Sequence, residues 1–147
     1  DLMNKKQKSL EWTELISVTA QDFIIGSLQY GKRYGSSFTV CAENDTFREI
    51  AESPWHSTPG TNLHPDGITY YSTMFKNLSE TSVTGGKILG GKTGFTNAAG
   101  SCLASFAEIE GVEYILVTAG AMDGGTPNIT DAVTVYNRLG RGRQALK

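Results

Sequence analysis

Two cysteines, two histidines and four prolines are all that 147 residues contain of these types, and each scarcity closes a route. Cys41 and Cys102 are too few for a disulfide framework and their spacing fits no metal motif, so both are expected to be buried as small hydrophobes. His56 and His64 stand near Asp66 without a third firm ligand, which reads as two ordinary loop histidines rather than a zinc site, and no metal is expected. Neither sign of charge dominates: 13 Lys and Arg against 15 Asp and Glu give −2 at neutral pH and a pI near 5.7. Nothing in that balance draws the chain to nucleic acid, and no such partner is expected. Long hydrophobic runs are missing too. The longest, Tyr114 to Met122, is broken by Thr118 and Gly120 and falls far short of the ~20 residues that a bilayer crossing takes. The chain opens at Asp1 with no charged-then-apolar leader, so a signal peptide is expected to be removed or encoded upstream.

What is present suits one folded domain: 39% hydrophobic and 19% charged residues, in a length that buries a single core. Glycine is unevenly spread. Seven of the 17 glycines fall between Gly85 and Gly111, and the run from Gly85 to Gly100, GGKILGGKTGFTNAAG, adds a cation and several hydroxyls to them. Glycine removes the side chain that holds a neighbour away from the backbone, so a ligand is expected to lie against this stretch.

Two readings of the stretch compete. Gly86 to Thr93 matches G-x-x-x-x-G-K-[ST], the phosphate loop of nucleoside triphosphatases, which requires a buried strand before it and a helix opening after it. The preceding run, Lys76 to Ser82, is polar, and Gly94, Asn97 and Gly100 would interrupt the helix, each glycine at a cost of about 1 kcal/mol relative to alanine. In that reading's favour, the apolar run from Tyr114 ends at Asp123, as a magnesium-binding strand does. The second reading places Lys92-Thr93-Gly94 in a strand. Alternation from Cys102 to Ala107 and the β-branched run from Val112 to Ala121 give two more strands, turned at Glu110-Gly111. Asn128 to Asp131 then signals a cap, with Ala132, Val133, Val135, Tyr136 and Leu139 on one helical face. Strand, strand, strand, helix predicts an α+β fold with an antiparallel sheet and helices packed on it.

Elsewhere the signals are local. Thr19 to Asp22 forms a capping box for a helix through about Tyr30, and Thr46 to Glu49 another for a short helix through about Ser53, with Phe47 and Ile50 inward. Pro54 to Gly67 reads as a long loop. Tyr70, Tyr71, Met74 and Phe75 read as core, with a carbohydrate or peptide platform as the alternative. Three Asn-x-Ser/Thr sequons, at Asn44, Asn77 and Asn128, matter only in a glycosylating host. The lysine-rich residues 1–9 read as a helix end or loose terminus, and 141–147 as a frayed basic tail.

The residues from Gly90 to Ala121, GGKTGFTNAAGSCLASFAEIEGVEYILVTAGA, resemble the serine-type D-alanyl-D-alanine carboxypeptidases, low-molecular-mass penicillin-binding proteins related to β-lactamases. That family has a K-T-G strand, a T-x-x-A-G turn and two further strands there, and Leu2 to Lys6 also resembles a family helix. The resemblance implies a partial transpeptidase-like fold, with residues 1–140 as the C-terminal portion of a catalytic domain. It implies a sheet edge on which Lys92 is catalytic and Thr93, Gly94, Phe95 and Thr96 bind substrate, Phe95 giving one oxyanion-hole N–H and Thr93 its hydroxyl to the substrate carboxylate. No cofactor is implied. The implied partners are a stem peptide ending in D-Ala-D-Ala, β-lactams in the complete enzyme, and either the missing N-terminal half or a second copy. The implied location is extracytoplasmic, in a bacterial cell envelope or secreted. The family's S-x-x-K and S-x-N motifs, which carry the acylated serine and its base, occur nowhere in the 147 residues. The alternatives are a non-catalytic peptide- or peptidoglycan-binding module on the same fold and a nucleotide-binding loop at Gly86 to Thr93.

Overall fold

A computed structural model describes residues 15–19, 37–122 and 125–144. In chain order they form strand β1 (Leu15–Thr19), helical residues 37–42, helix α1 (Asp45–Glu52), strands β2 (Trp55–Ser57) and β3 (Thr69–Tyr71), helix α2 (Thr73–Asn77), strands β4 (Ser82–Val83), β5 (Gly86–Thr96), β6 (Gly100–Ile109) and β7 (Val112–Ala121), and helix α3 (Pro127–Gln144). The predicted succession of three strands and a helix is β5, β6, β7 and α3, and the fold is α+β as expected. Five strands make one sheet in the order β1-β7-β6-β5-β4, antiparallel except where β1 runs parallel to β7, while β2 and β3 form a separate two-stranded ribbon.

The pleat of β6 divides the core. Leu103, Ala107 and Ile109 turn toward Ile129, Ala132 and Tyr136 of α3, and Ser105 on the same face bonds the Tyr136 hydroxyl at 3.0 Å. Ala104 and Phe106 turn the other way, against Phe38, Ala42, Phe47 and Ala51. Because successive strand residues face opposite sides, one ten-residue strand serves both layers. The β6–β7 turn is made by Glu110 (φ 52°) and Gly111 (φ 76°), both left-handed, as a two-residue hairpin requires.

Four local expectations are corrected. Helix α3 begins with Pro127, not with a cap at Asn128: the carbonyl of Thr126 accepts from Ile129 (3.1 Å) and Thr130 (3.2 Å). Proline has no N–H to lose in the first turn, so it takes the first helical position, and Asn128 instead donates its side-chain amide to the Cys102 carbonyl at 2.8 Å. The helix then runs to Gln144, so residues 141–144 are helical rather than tail. Helix α1 is capped by Asn44, whose side chain accepts from the Phe47 N–H at 3.0 Å, not by Thr46. Its inward side is Phe47 and Ala51, with Arg48 beside them over the Phe106 ring and paired to Glu113 through both terminal nitrogens at 3.0 and 2.8 Å. That pairing holds the Arg48 pKa above its ordinary value, chiefly through the Glu113 hydrogen bond. Ile50 sits on the flank away from Arg48 and is exposed.

The predicted loop from Pro54 to Gly67 opens with β2, which pairs with β3 just beyond the loop's end in a ribbon closed by a Thr58–Ile68 backbone bond of 2.9 Å. Neither cysteine is fully buried: Cys41 faces away from the side that buries Phe38 and Ala42 and is exposed, and Cys102, opposite Gly94 near the turn into β6, is half-buried. The helices expected around residues 1–9 and 20–30 lie outside the described residues.

Candidate binding groove at a free sheet edge

β5 is covered on its outer side only at its start, where Ser82 and Val83 of β4 pair with Lys87 and Gly86. A bulge between Ile88 and Gly90 follows. From there to Thr96 no described strand pairs with the outer edge of β5. Unsatisfied main-chain donors and acceptors on such an edge are a template for another extended chain. On the inner side Lys92 pairs with Ala104, Thr93 with Leu103, Gly94 with Cys102, Phe95 with Ser101 and Thr96 with Gly100. All five candidate residues therefore share one length of edge strand, and no helix opens at Thr93. This removes the phosphate-loop reading of Gly86 to Thr93, since a strand that turns into a hairpin has no helix-terminal amides to hold an anion.

Lys92 stands in solvent, and its ammonium donates to the Thr93 carbonyl of its own strand. Thr93 is half-buried, whereas Gly94, Phe95 and Thr96 are exposed. The Thr96 hydroxyl accepts from the Ala99 N–H at 3.0 Å and so shapes the turn that leads into β6. The glycines divide by cause. A Cβ on Gly90 would lie 2.7 Å from the Ala51 carbonyl of α1, and one on Gly91 would lie 2.6 Å from the Ala104 carbonyl of β6 and 2.9 Å from the Met74 sulfur of α2. These two are glycine because the chain's own α1 and β6 backbones leave no room for a side chain, which corrects the expectation that a ligand explains them. Gly94 meets nothing nearer than Cys102 Cβ at 4.0 Å and is open.

Alongside Gly91, Lys92 and Thr93 lies a groove of about 650 Å³, walled by α1, the β2–β3 ribbon and the start of α2. The aromatic group expected as core splits here. Met74 is buried and Phe75 packs behind it, while Tyr70 and Tyr71 stand out from the ribbon into the groove with Trp55. Trp55, His56, Tyr70 and Tyr71 are the site residues that sequence reasoning did not join. Trp55 pairs with Tyr71 and His56 with Tyr70 across the ribbon, and the signal in the sequence was the aromatic cluster at Tyr70 and Tyr71, for which a binding platform stood as the alternative to core. Glu49 and Lys92 are the fully charged side chains of the lining. Among the described residues no three of His, Cys, Asp and Glu gather as a metal site would need. Chemically the groove offers a strand edge, one cation and a set of aromatic rings.

No family model matches the chain, and no curated protein does. Among solved structures the fold is similar to that of the D-alanyl-D-alanine carboxypeptidase of Mycobacterium tuberculosis H37Rv, with a TM-score of 0.51 and 20% identity over 69% of this chain and 36% of that one. The matched part thus spans about a third of that protein's length. At this identity the likeness is one of fold.

Proposed function

We propose that this chain supplies the substrate-edge strand of a serine-type D-alanyl-D-alanine carboxypeptidase, which trims the terminal D-Ala from peptidoglycan stem peptides through an acyl-enzyme. The observation that carries this reading is the position of Lys92-Thr93-Gly94 on the unpaired edge of β5, opening on a groove. A stem peptide adds to that edge as a further strand, held by main-chain hydrogen bonds. The Lys92 ammonium and the Thr93 hydroxyl receive its terminal carboxylate, and Gly94 leaves room for its backbone. The Phe95 N–H is one of two donors to the oxyanion, a contact worth about 2.7–4 kcal/mol in transition-state stabilisation. The nucleophilic serine and its base come from S-x-x-K and S-x-N segments outside these 147 residues, and β-lactams occupy the same edge once the site is complete. The setting is a bacterial envelope or secreted protein, and the chemistry needs no cofactor.

A second reading, a module that binds stem peptides without cleaving them, is favoured by the absence of both motifs from the sequence. One titration tests what the two share. A peptide ending in D-Ala-D-Ala is expected to bind saturably and to shift the amide resonances of residues 92–96, and its C-terminal amide to bind more weakly. Equal binding of acid and amide, or shifts confined to other strands, removes both readings.

A further inference from the structure

All three nitrogens of the Arg48 guanidinium are engaged. Nε donates to Glu52 of the same helix at 3.0 Å, Nη1 to the Ala42 carbonyl at 3.3 Å and to Glu113 of β7 at 3.0 Å, and Nη2 to the other Glu113 oxygen at 2.8 Å. The guanidinium carbon stands 4.7 Å from the centre of the Phe106 ring of β6. Among the described residues both ion pairs belong to this one arginine. The helix that carries it depends on such ties. α1 has eight residues, none of them fully buried, and a helix shorter than about 12–15 residues is marginal in water by itself. Contacts with the sheet therefore set its place, and the two-pronged bond to a carboxylate is the most directional of them.

The same helix meets the edge strand. Residues 48 and 51 lie on one side of α1, a turn apart, and where Arg48 reaches β7 the Ala51 carbonyl lies against Gly90 of β5, 2.7 Å from the place of a Cβ. Gly90 follows the bulge and begins the length of edge that no described strand covers. Glu49, Ile50 and Ala51 of α1 wall the groove there, whereas Arg48 and Glu113 do not line it. Through its arginine, α1 thus bridges β7, β6 and the lip of the groove. Partly exposed ion pairs add little to stability, so the weight of this one falls on where it holds the helix.

We propose that the Arg48–Glu113 pair is a latch that sets α1 against Gly90 and so fixes the width of the groove at the β5 edge. Arg48 and Glu113 are positioning residues, since neither touches a ligand in the groove and both act through the Ala51 carbonyl. With the latch closed, a peptide strand meets a preformed lip beside Lys92. With it open, α1 moves off Gly90, and binding must first draw the helix back, which lowers the apparent affinity by the fraction of chains left unlatched. The consequence for a peptide rests on the function proposed above; the latch itself belongs to the free chain.

Amide NMR and hydrogen exchange of the full chain, as Glu113→Gln and as Arg48→Lys, test this. The Arg48 and Glu113 side chains are 28% and 32% exposed, so neither variant strands a deeply buried charge; Gln keeps the shape of Glu, and Lys keeps the charge of Arg without its fork. Either variant suffices should the other fail to fold. The amides of residues 47–52 and 89–93 are expected to shift and to exchange faster, those of 129–139 to stay as in the parent, and a peptide ending in D-Ala-D-Ala to bind about fivefold more weakly. One further readout separates a latch from a brace that only stabilises. If the pair presses α1 onto Gly90, then Gly90→Ala lowers the melting temperature less in the Glu113→Gln background than in the parent, because the helix is free to give way, whereas independent sites give additive losses. Additive losses, or groove amides that stay in place in both folded variants, overturn the inference. Shifts and non-additivity in a chain that binds no peptide in any form overturn the peptidase reading alone. A parent that binds the peptide, with Glu113→Gln binding it equally well, overturns the latch alone.

Discussion

At the scale of single residues, the most informative side chains are those whose polar atoms are bound to, or cut off from, a partner. Among the described residues Lys92 has only a carbonyl of its own strand as a partner, so its charge is available to a ligand. Lys92→Ala is expected to weaken a D-Ala-D-Ala peptide by about 1.5–3 kcal/mol, the worth of a charge-assisted hydrogen bond, and to leave the amide-capped peptide almost unchanged; calorimetry reads both. Thr118 is the opposite case, with a buried hydroxyl that has no hydrogen-bond partner among the described residues. Replacing it with the isosteric valine removes an unsatisfied group, and Thr118→Val is expected to raise stability by ~1 kcal/mol in urea unfolding. Burial pushes the Tyr136 phenol well above its ordinary pKa, against the opposing hydrogen bonds of Ser105 and the Leu116 backbone. The sign follows: the unfolded chain releases this proton first, so the contribution is whole below about pH 10 and is lost as pH rises beyond it. Tyr136→Phe is expected to flatten that alkaline limb in a pH series of unfolding midpoints.

At the scale of elements, β5 is organised by what presses on it. Helix α1 reaches Gly90 through the Ala51 carbonyl, and Gly91 is met by the Ala104 carbonyl of β6 as well as by Met74 of α2. Gly90→Ala and Gly91→Ala each force a backbone or a packed side chain aside, and each is expected to cost about 1–3 kcal/mol, as overpacked cores do. Gly94→Ala meets open space and is expected to melt within a few degrees of the parent, while hindering strand addition to the edge. Thermal denaturation separates the three, and equal melting of all three would mean that the Ala51 and Ala104 carbonyls do not constrain the strand. Sequence reasoning found this strand through its resemblance and through the alternation that follows it, yet gave all its glycines one purpose. Adjacent glycines look alike in a sequence, whereas their neighbours come from residues 51, 74 and 104, which only the fold brings near. The same limit hid the ribbon. Three-residue strands with exposed faces leave no burial period to read, and their pairing joins residues 12 to 16 apart, such as His56 with Tyr70.

At the scale of the whole molecule, the groove gathers a strand edge, a cation and rings but not the motifs that would make an acyl-enzyme. Incubated with a β-lactam, the chain alone is expected to show no mass increase in intact mass spectrometry. Adding a segment that bears S-x-x-K and S-x-N is expected to yield one adduct per complex, and an adduct on the isolated chain would refute the assignment of roles. Long-period information was already in the sequence: the alternation of β6, the β-branched run of β7, the left-handed Glu110-Gly111 turn and the apolar stripe of α3 are each set by neighbours in the chain, because strand and helix geometry repeat over two or about four residues. Tertiary structure alone decided which glycine is open, which edge of β5 no described strand covers, that Ile50 and two tyrosines line a groove, and that Asn128 ties α3 to β6 instead of capping it. Those outcomes depend on contacts between distant residues, and no local pattern carries the position of a partner that the chain meets only after it has folded.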